Sequence, residues 1–272
     1  MYIDHPAFEK PEDKNAKIWR YMDFTQFVSL LDMNTLYFSR LDFLSDPYEG
    51  SLPLANINKR NKGFTEETIK LYKSIFPSFD YDEYMKQYIK RSSWTKQEER
   101  KLFFINFWHL NEYESHAMWN QYSKNGGIAI QSTFDKLCNS LSKIDRTIWI
   151  GKVKYIDYRT EAIPEDNTLK PLLHKRKSFE HERELRAIVQ PLDPGLKIPY
   201  DYADAIEEIL KKQGQSTRGI YLGVDLETLI ERIYVSPLAE DWLVNLVKSI
   251  IRKYRLDKEV EFSSLADNSP LF

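Results

Sequence analysis

With a single cysteine, Cys138, the chain can form no internal disulfide and no multi-cysteine zinc site, which fits a reducing compartment. Charge of neither sign dominates: the formal net charge is -2, so no general attraction to nucleic acid is expected beyond a local basic patch. The opening segment, residues 1–17, is polar and charged. It lacks the apolar stretch that a signal peptide or membrane helix requires, so a cytoplasmic protein with no membrane partner is expected. Signature loops are missing as well. There is no Walker phosphate loop, no dinucleotide glycine fingerprint, no paired-histidine metalloprotease motif and no nucleophile elbow. His5, His109, His116, His174 and His181 stand at no recognised zinc spacing, and no metal ligands are assigned. No internal repeat, low-complexity tract or linker divides the chain.

What is present is an ordinary globular balance. Hydrophobic residues make up 42% and charged residues 29% of 272 residues, enough apolar material to offset the entropy of ordering one large domain over 1–272. Strands are expected at Ile18–Tyr21, Thr35–Ser39, Phe103–Trp108, Gly127–Ile130, Trp149–Tyr158, Leu185–Val189, Ile220–Val224, Ile233–Val235 and Val260–Phe262, from their β-branched and aromatic content. Helical spacing marks Phe24–Leu31, Thr65–Arg91 broken at Pro77, Ser115–Tyr122, Phe134–Leu141, Leu172–Glu180, Ala205–Lys212, Leu226–Glu231 and Leu243–Tyr254. Strands not separated by regular helices predict an α+β fold, a mixed and mainly antiparallel sheet with surrounding helices. The stretch at about 64–92 reads as a helical insertion covering one side of it.

Three segments concentrate polar chemistry. In Trp19-Arg20-Tyr21 the guanidinium faces one side of a strand and the aromatic rings the other. An inward Arg20 needs an anion, either an internal carboxylate such as Asp46 or Glu49 or a bound phosphate. In Phe38–Gly50, Ser39 and Arg40 stand at the root of a loop carrying Asp42, Asp46 and Glu49. Asp46 and Pro47 suit a plain turn, and the loop also suits ligand contact. In Lys175–Val189, Glu182, Glu184 and Arg186 alternate, so a strand starting near Glu182 puts all three on one face, where cations can hold a carboxylate ionised. A solvated charge run is the plainer reading.

These segments, together with Glu114-Ser-His-Ala-Met-Trp-Asn-Gln-Tyr122 and Gly126-Gly-Ile-Ala-Ile130, resemble the bacterial family called domain of unknown function 2971 over about residues 18–190. That resemblance implies a bacterial or phage protein of a family often seen among phage-defence and mobile-element genes. The order Arg20, Ser39, Glu182-x-Glu184 is also similar to the arginine, serine, glutamate pattern of ADP-ribosyltransferases, with one serine where a serine-threonine-serine run is usual. This second resemblance implies NAD as the nucleotide ligand and a protein or nucleic-acid acceptor. It makes Glu184 the catalytic carboxylate, Glu182 the residue that orients the acceptor, Arg20 the phosphate anchor, Ser39 a supporting group, and Tyr21 or Tyr122 the nicotinamide stack. A carboxylate suits the oxocarbenium-like centre formed when the nicotinamide–ribose bond breaks. Two rival readings use the same residues: a nuclease holding magnesium with Asp46, Glu49, Glu182 and Glu184, and a non-catalytic binding module whose charges are internal ion pairs.

Overall fold

A computed structural model describes residues 1–122, 126–190, 202–213 and 217–266. In chain order the described elements are β1 (Lys17–Met22), α1 (Phe24–Met33), β2 (Thr35–Arg40), α2 (Leu54–Asn61), α3 (Glu66–Ile75), α4 (Tyr81–Glu99), β3 (Phe104–Leu110), α5 (His116–Tyr122), β4 (Ile128–Thr133), α6 (Phe134–Ser140), β5 (Ile148–Lys152) and β6 (Lys154–Ile156). Then come β7 (His174–Arg176), β8 (Glu184–Val189), α7 (Tyr202–Gln213), β9 (Gly219–Gly223), α8 (Leu226–Leu229), β10 (Arg232–Val235), α9 (Asp241–Lys253) and β11 (Glu259–Phe262).

Local signals start and stop these elements. Asp23 caps α1 by accepting from the Gln26 backbone N–H at 2.7 Å while the Gln26 side chain returns to the Asp23 N–H, a reciprocal capping box. Asn34 ends α1 in the left-handed region at φ 50, one of the few residues that tolerates it. Asp80 caps α4 through the Asp82 and Glu83 N–H groups after Pro77 has separated it from α3.

Among the described residues nine strands form the main sheet, in the order β11-β10-β4-β1-β3-β2-β9, with β8 and β5 extending it from β3. All these pairs are antiparallel except β10 with β11. The mixed, mainly antiparallel α+β architecture is therefore the one the sequence pattern predicts. The small parallel pair β6–β7 stands apart from this sheet.

Cross-strand register fixes the two faces, because paired residues point the same way. One face carries Ile18, Met22, Ile130, Trp108, Leu185 and Ala187, packed under α1, α6 and α9 through Phe27, Leu31, Leu137 and Val247. The other carries Trp19, Tyr21, Ile105, Phe107, His109, Glu184 and Arg186. On that second face a cluster around Leu41, Phe103, Ile105 and Ile188 lies toward one end, and a second around Trp19, Tyr21, Met118 and Trp119 toward the other.

One edge of β3 is divided between two partners. His109 and Leu110 pair with β1, whereas Phe104 and Ile105 pair with β2. Side chains stand in for the missing ladder between them: Arg20 Nη1 donates to the Phe107 carbonyl at 2.9 Å, and Asn106 Nδ2 donates to the Tyr37 carbonyl at 2.8 Å.

Three expectations change. The span Leu172–Glu180 is not a helix but a 3₁₀ turn (Lys170–Leu173), strand β7 and a second 3₁₀ stretch (Lys177–Glu182). Pairing of Lys154–Ile156 with His174–Arg176 overrides the weak helical spacing there. Trp149–Tyr158 divides into β5 and β6, which join different sheets. The strand expected at Leu185–Val189 starts one residue earlier, at Glu184, and does not reach back to Glu182, because Arg183 turns the chain through φ 39.

Candidate functional site

The second face of the sheet holds a compact charge cluster built by three pieces of chain. Strand β8 supplies Glu184 and Arg186 on one face, two residues apart as the pleat requires. Glu182 precedes them on the last residue of the 3₁₀ stretch, and the left-handed Arg183 folds its carboxyl back toward Glu184. Strand β7 brings Lys175 between the two, and the loop after β2 brings Glu49 and Asp46. That loop closes on Gly50 at φ 72, where an added Cβ would lie 2.6 Å from a Leu41 methyl.

The contacts are short and nearly all charge-assisted. Lys175 Nζ reaches Glu182 Oε2 at 2.5 Å, Glu184 Oε1 at 2.7 Å and Glu49 at 3.2 Å. Arg186 donates from Nε to Glu184 Oε2 at 2.6 Å and from Nη1 to the Leu172 carbonyl at 2.7 Å. Its Nη2 lies 2.7 Å from Glu49 Oε2, close enough for an ion pair but out of line for a hydrogen bond. The Glu184 backbone N–H donates to the Tyr155 hydroxyl at 2.8 Å, and Gln121 Nε2 donates to Glu182 Oε1 at 3.2 Å. Arg186 is 0% exposed, Glu49 and Glu182 2%, and Lys175 and Glu184 7%.

Three carboxylates against two cations leave one negative charge in excess, and the interior cannot hold it cheaply. Burial, with Glu184 beside it, pushes the Glu182 carboxyl up to about 7. Burial also opposes the Glu184 charge, but Arg186, the Glu182 carboxyl and Lys175 outweigh it and hold Glu184 down at about 2. Burial works against the charges of Lys175 and Arg186 too, yet the surrounding glutamates keep both protonated well above their ordinary range. The pair thus shares one proton near neutrality, and Glu182 is the side that carries it.

The rim is aromatic. Arg176, which grips Asp46 through Nε at 3.1 Å and Nη2 at 2.9 Å, lies over the Tyr48 ring at 4.5 Å and the Phe179 ring at 5.3 Å. Tyr122, at the end of α5, is 45% exposed, and burial of its hydroxyl together with Glu182 and Glu184 raises it to about 12. His109 on the same face points Nδ1 at the Glu182 carbonyl, 2.7 Å away. A carbonyl only accepts, so Nδ1 carries the proton, and Nε2 is a buried acceptor with no partner. Burial keeps this imidazole below the usual histidine range.

No protein-family model, no curated protein and no solved structure matches the chain.

Of the residues singled out in the sequence, the fold brings Asp46, Glu49, Glu182, Glu184 and Arg186 together, with Tyr122 at their edge. Tyr21 shares that face but is spent on structure: its hydroxyl accepts from the Ser115 backbone N–H at 2.8 Å, and it packs against Trp119. Arg20 is not there. Its register partner Ile130 lies on the opposite face of the sheet, and the guanidinium bonds the Phe107 carbonyl rather than Asp46 or Glu49. Arg40 leaves as well, forking onto Asp42 at 2.7 and 3.0 Å over the Phe43 ring, and Ser39 beside it pairs with Gly219 and Ile105. Sequence reading missed Lys175 and Arg176 as site residues because it placed them on a helix end. Three polar residues in a row carry no strand periodicity, so no local signal was available. Tyr155, Tyr158 and His109 gave no local signal.

The four carboxylates assigned to magnesium each face a lysine or arginine at 2.5–3.2 Å. Among the described residues no three His, Cys, Asp or Glu side chains are placed to hold a metal ion. No helix among the described residues is long and apolar enough to cross a membrane.

Proposed function

We propose that the chain is an enzyme that breaks the N-glycosidic bond of a nucleotide such as NAD, using Glu182 and Glu184 as a matched pair. The observation that carries this is one buried acidic pair under a single shared lysine, with Arg186 bonded to Glu184 and not to Glu182, an asymmetry that raises the Glu182 carboxyl and lowers that of Glu184. Glu184 stays ionised and opposes the positive charge that develops on the ribosyl carbon. The carbon–nitrogen bond breaks, and its electron pair neutralises the pyridinium nitrogen of the departing nicotinamide. The acceptor oxygen bonds to that carbon and its proton passes to Glu182, whose carboxylate is near its best strength as a base at physiological pH. Arg176, set between Tyr48 and Phe179, takes the diphosphate-anchoring role that the sequence pattern gave to Arg20. Tyr122 offers an exposed ring for the nicotinamide.

Purified protein incubated with labelled NAD and cell extract is expected to release nicotinamide or label an acceptor. Glu184→Gln and Glu182→Gln are expected to lose this while keeping the wild-type fold by circular dichroism. No turnover by the wild type in either assay overturns the proposal.

A second reading is favoured by the burial of the same residues: the cluster is an internal keystone that ties β8, β7 and the Asp46–Glu49 loop together. It requires Glu184→Gln to lower the melting temperature sharply, with NAD left intact by wild type and variant alike.

A further inference from the structure

The arginine that left the acidic cluster stands in a cavity of its own. Where β1 and β2 part company along β3, with α1 bridging them, a space of about 370 Å³ opens at the gap between the two strands, within the range of small-molecule sites. Its walls include Arg20, Gln26, Ser29, Thr35, Tyr37 and Tyr221, and no carboxylate lines it.

One of these groups has donors to spare and another is unsatisfied. A guanidinium carries five N–H donors, and Arg20 places one of them, on the Phe107 carbonyl, with no acidic side chain near enough to raise its charge affinity. Burial alone acts on it and lowers it to about 10. The Thr35 hydroxyl is sealed from solvent and has no hydrogen-bond partner. Such a buried polar atom is uncommon in folded proteins and is a mark of a missing acceptor or donor. At the mouth two rings form a platform: Tyr37 and Tyr221 face each other across β2 and β9 with centroids 5.0 Å apart, and both are exposed. The Tyr37 ring lies where a Cβ on Gly219 would be 2.3 Å away, so glycine there makes its position possible.

We infer that this cavity binds a small organic anion bearing a planar ring, with the acid group held by the Arg20 fork and by the Thr35 hydroxyl, which turns about χ1 out of its sealed position toward the cavity that Thr35 lines, and the ring against Tyr37 and Tyr221. A fork of parallel N–H donors matches either a carboxylate or a phosphate. The inference stands apart from the acidic cluster, since none of the cluster's residues lines this cavity.

Calorimetric titration of the full chain with phenyl phosphate, benzoate, inorganic phosphate and phenol tests it. Phenyl phosphate or benzoate is expected to bind, and whichever is tighter tells phosphate from carboxylate recognition. Inorganic phosphate is expected to bind at least about tenfold more weakly, and phenol not at all. Arg20→Gln should weaken the better ligand by about tenfold or more, and Glu182→Gln should leave it unchanged. Arg20 also bonds the Phe107 carbonyl, so Thr35→Val serves as the variant that cannot be blamed on folding: it removes an unpartnered hydroxyl, and should weaken binding about fivefold without lowering the melting temperature. Failure of both ring-bearing anions to bind, equal binding of phenol, or undiminished affinity in Thr35→Val overturns the inference.

Discussion

The shared proton of Glu182 and Glu184 should be visible in the pH dependence of stability, with opposite signs on the two sides of the ordinary glutamate value of 4.5. Glu184 is held down at about 2 in the folded chain. Between about pH 4.5 and 2 the unfolded state takes up this proton first, so its contribution is present above 4.5 and is lost as pH falls. Glu182 is raised to about 7, so in the window from 4.5 to about 7 the folded state holds a proton that the unfolded state has released. Its contribution is complete below 4.5 and disappears as pH rises through about 7. Each shift spans roughly 2.5 pH units, and at about 1.4 kcal/mol per unit each is worth on the order of 3 kcal/mol. Both side chains are buried, at 2% and 7% exposure, so solvent screening removes little of this. The expected assay result is a difference curve. Urea unfolding of wild type and Glu182→Gln is measured from pH 4 to 8, because the amide mimics the protonated acid but cannot titrate. Wild-type stability relative to the variant should fall by about 3 kcal/mol between pH 4.5 and 7.5. Parallel curves across that window would refute the assignment of the shared proton to Glu182.

Other outcomes follow from the same geometry. Arg186→Met leaves Glu49 and Glu184 facing only Lys175 inside the fold, and should cost about 3–5 kcal/mol in chemical denaturation. If the chain turns over NAD as proposed, the rate should rise with pH and level off above about 7 as Glu182 loses its proton, and Glu182→Gln should flatten that profile. The Cys138 thiol is buried and burial pushes it up to about 12, so the native chain at pH 8 should resist iodoacetamide and react only once unfolded. Tyr155→Phe removes the acceptor of the Glu184 backbone N–H and should lower stability by about 1–3 kcal/mol in thermal melts.

Sequence alone carried the local part of this fold. The short apolar run Leu185–Val189 and the β-branched and aromatic segments Ile18–Tyr21 and Ile233–Val235 mark strands by composition, and β8, β1 and β10 form where they lie. Capping chemistry is equally local, since Asp23 and Gln26 need nothing beyond one turn of α1. Strand geometry also told that Arg20 and its flanking rings point to opposite faces, which β1 does. Residues 172–180 carried no such composition, and their strand exists only because β6 lies alongside.

Which polar residues meet was a different matter. Chemistry that is close in the chain, Glu182, Glu184 and Arg186, was legible as a candidate group, whereas the three-dimensional company it keeps was not. Glu49 arrives from 135 positions away from Glu184, and Lys175 from a strand whose register no local signal fixes. Arg20 was assigned to the wrong partners for the complementary reason: a strand's alternation says that two neighbours diverge, but only hydrogen-bonded pairing with β4 and β3 says which of the two faces is which. The amino-acid order determined the elements and the pairing-ready charges. The tertiary structure decided which charges neutralise one another and which arginine is left in a cavity, because burial, not sequence distance, sets the cost of a charge without a partner.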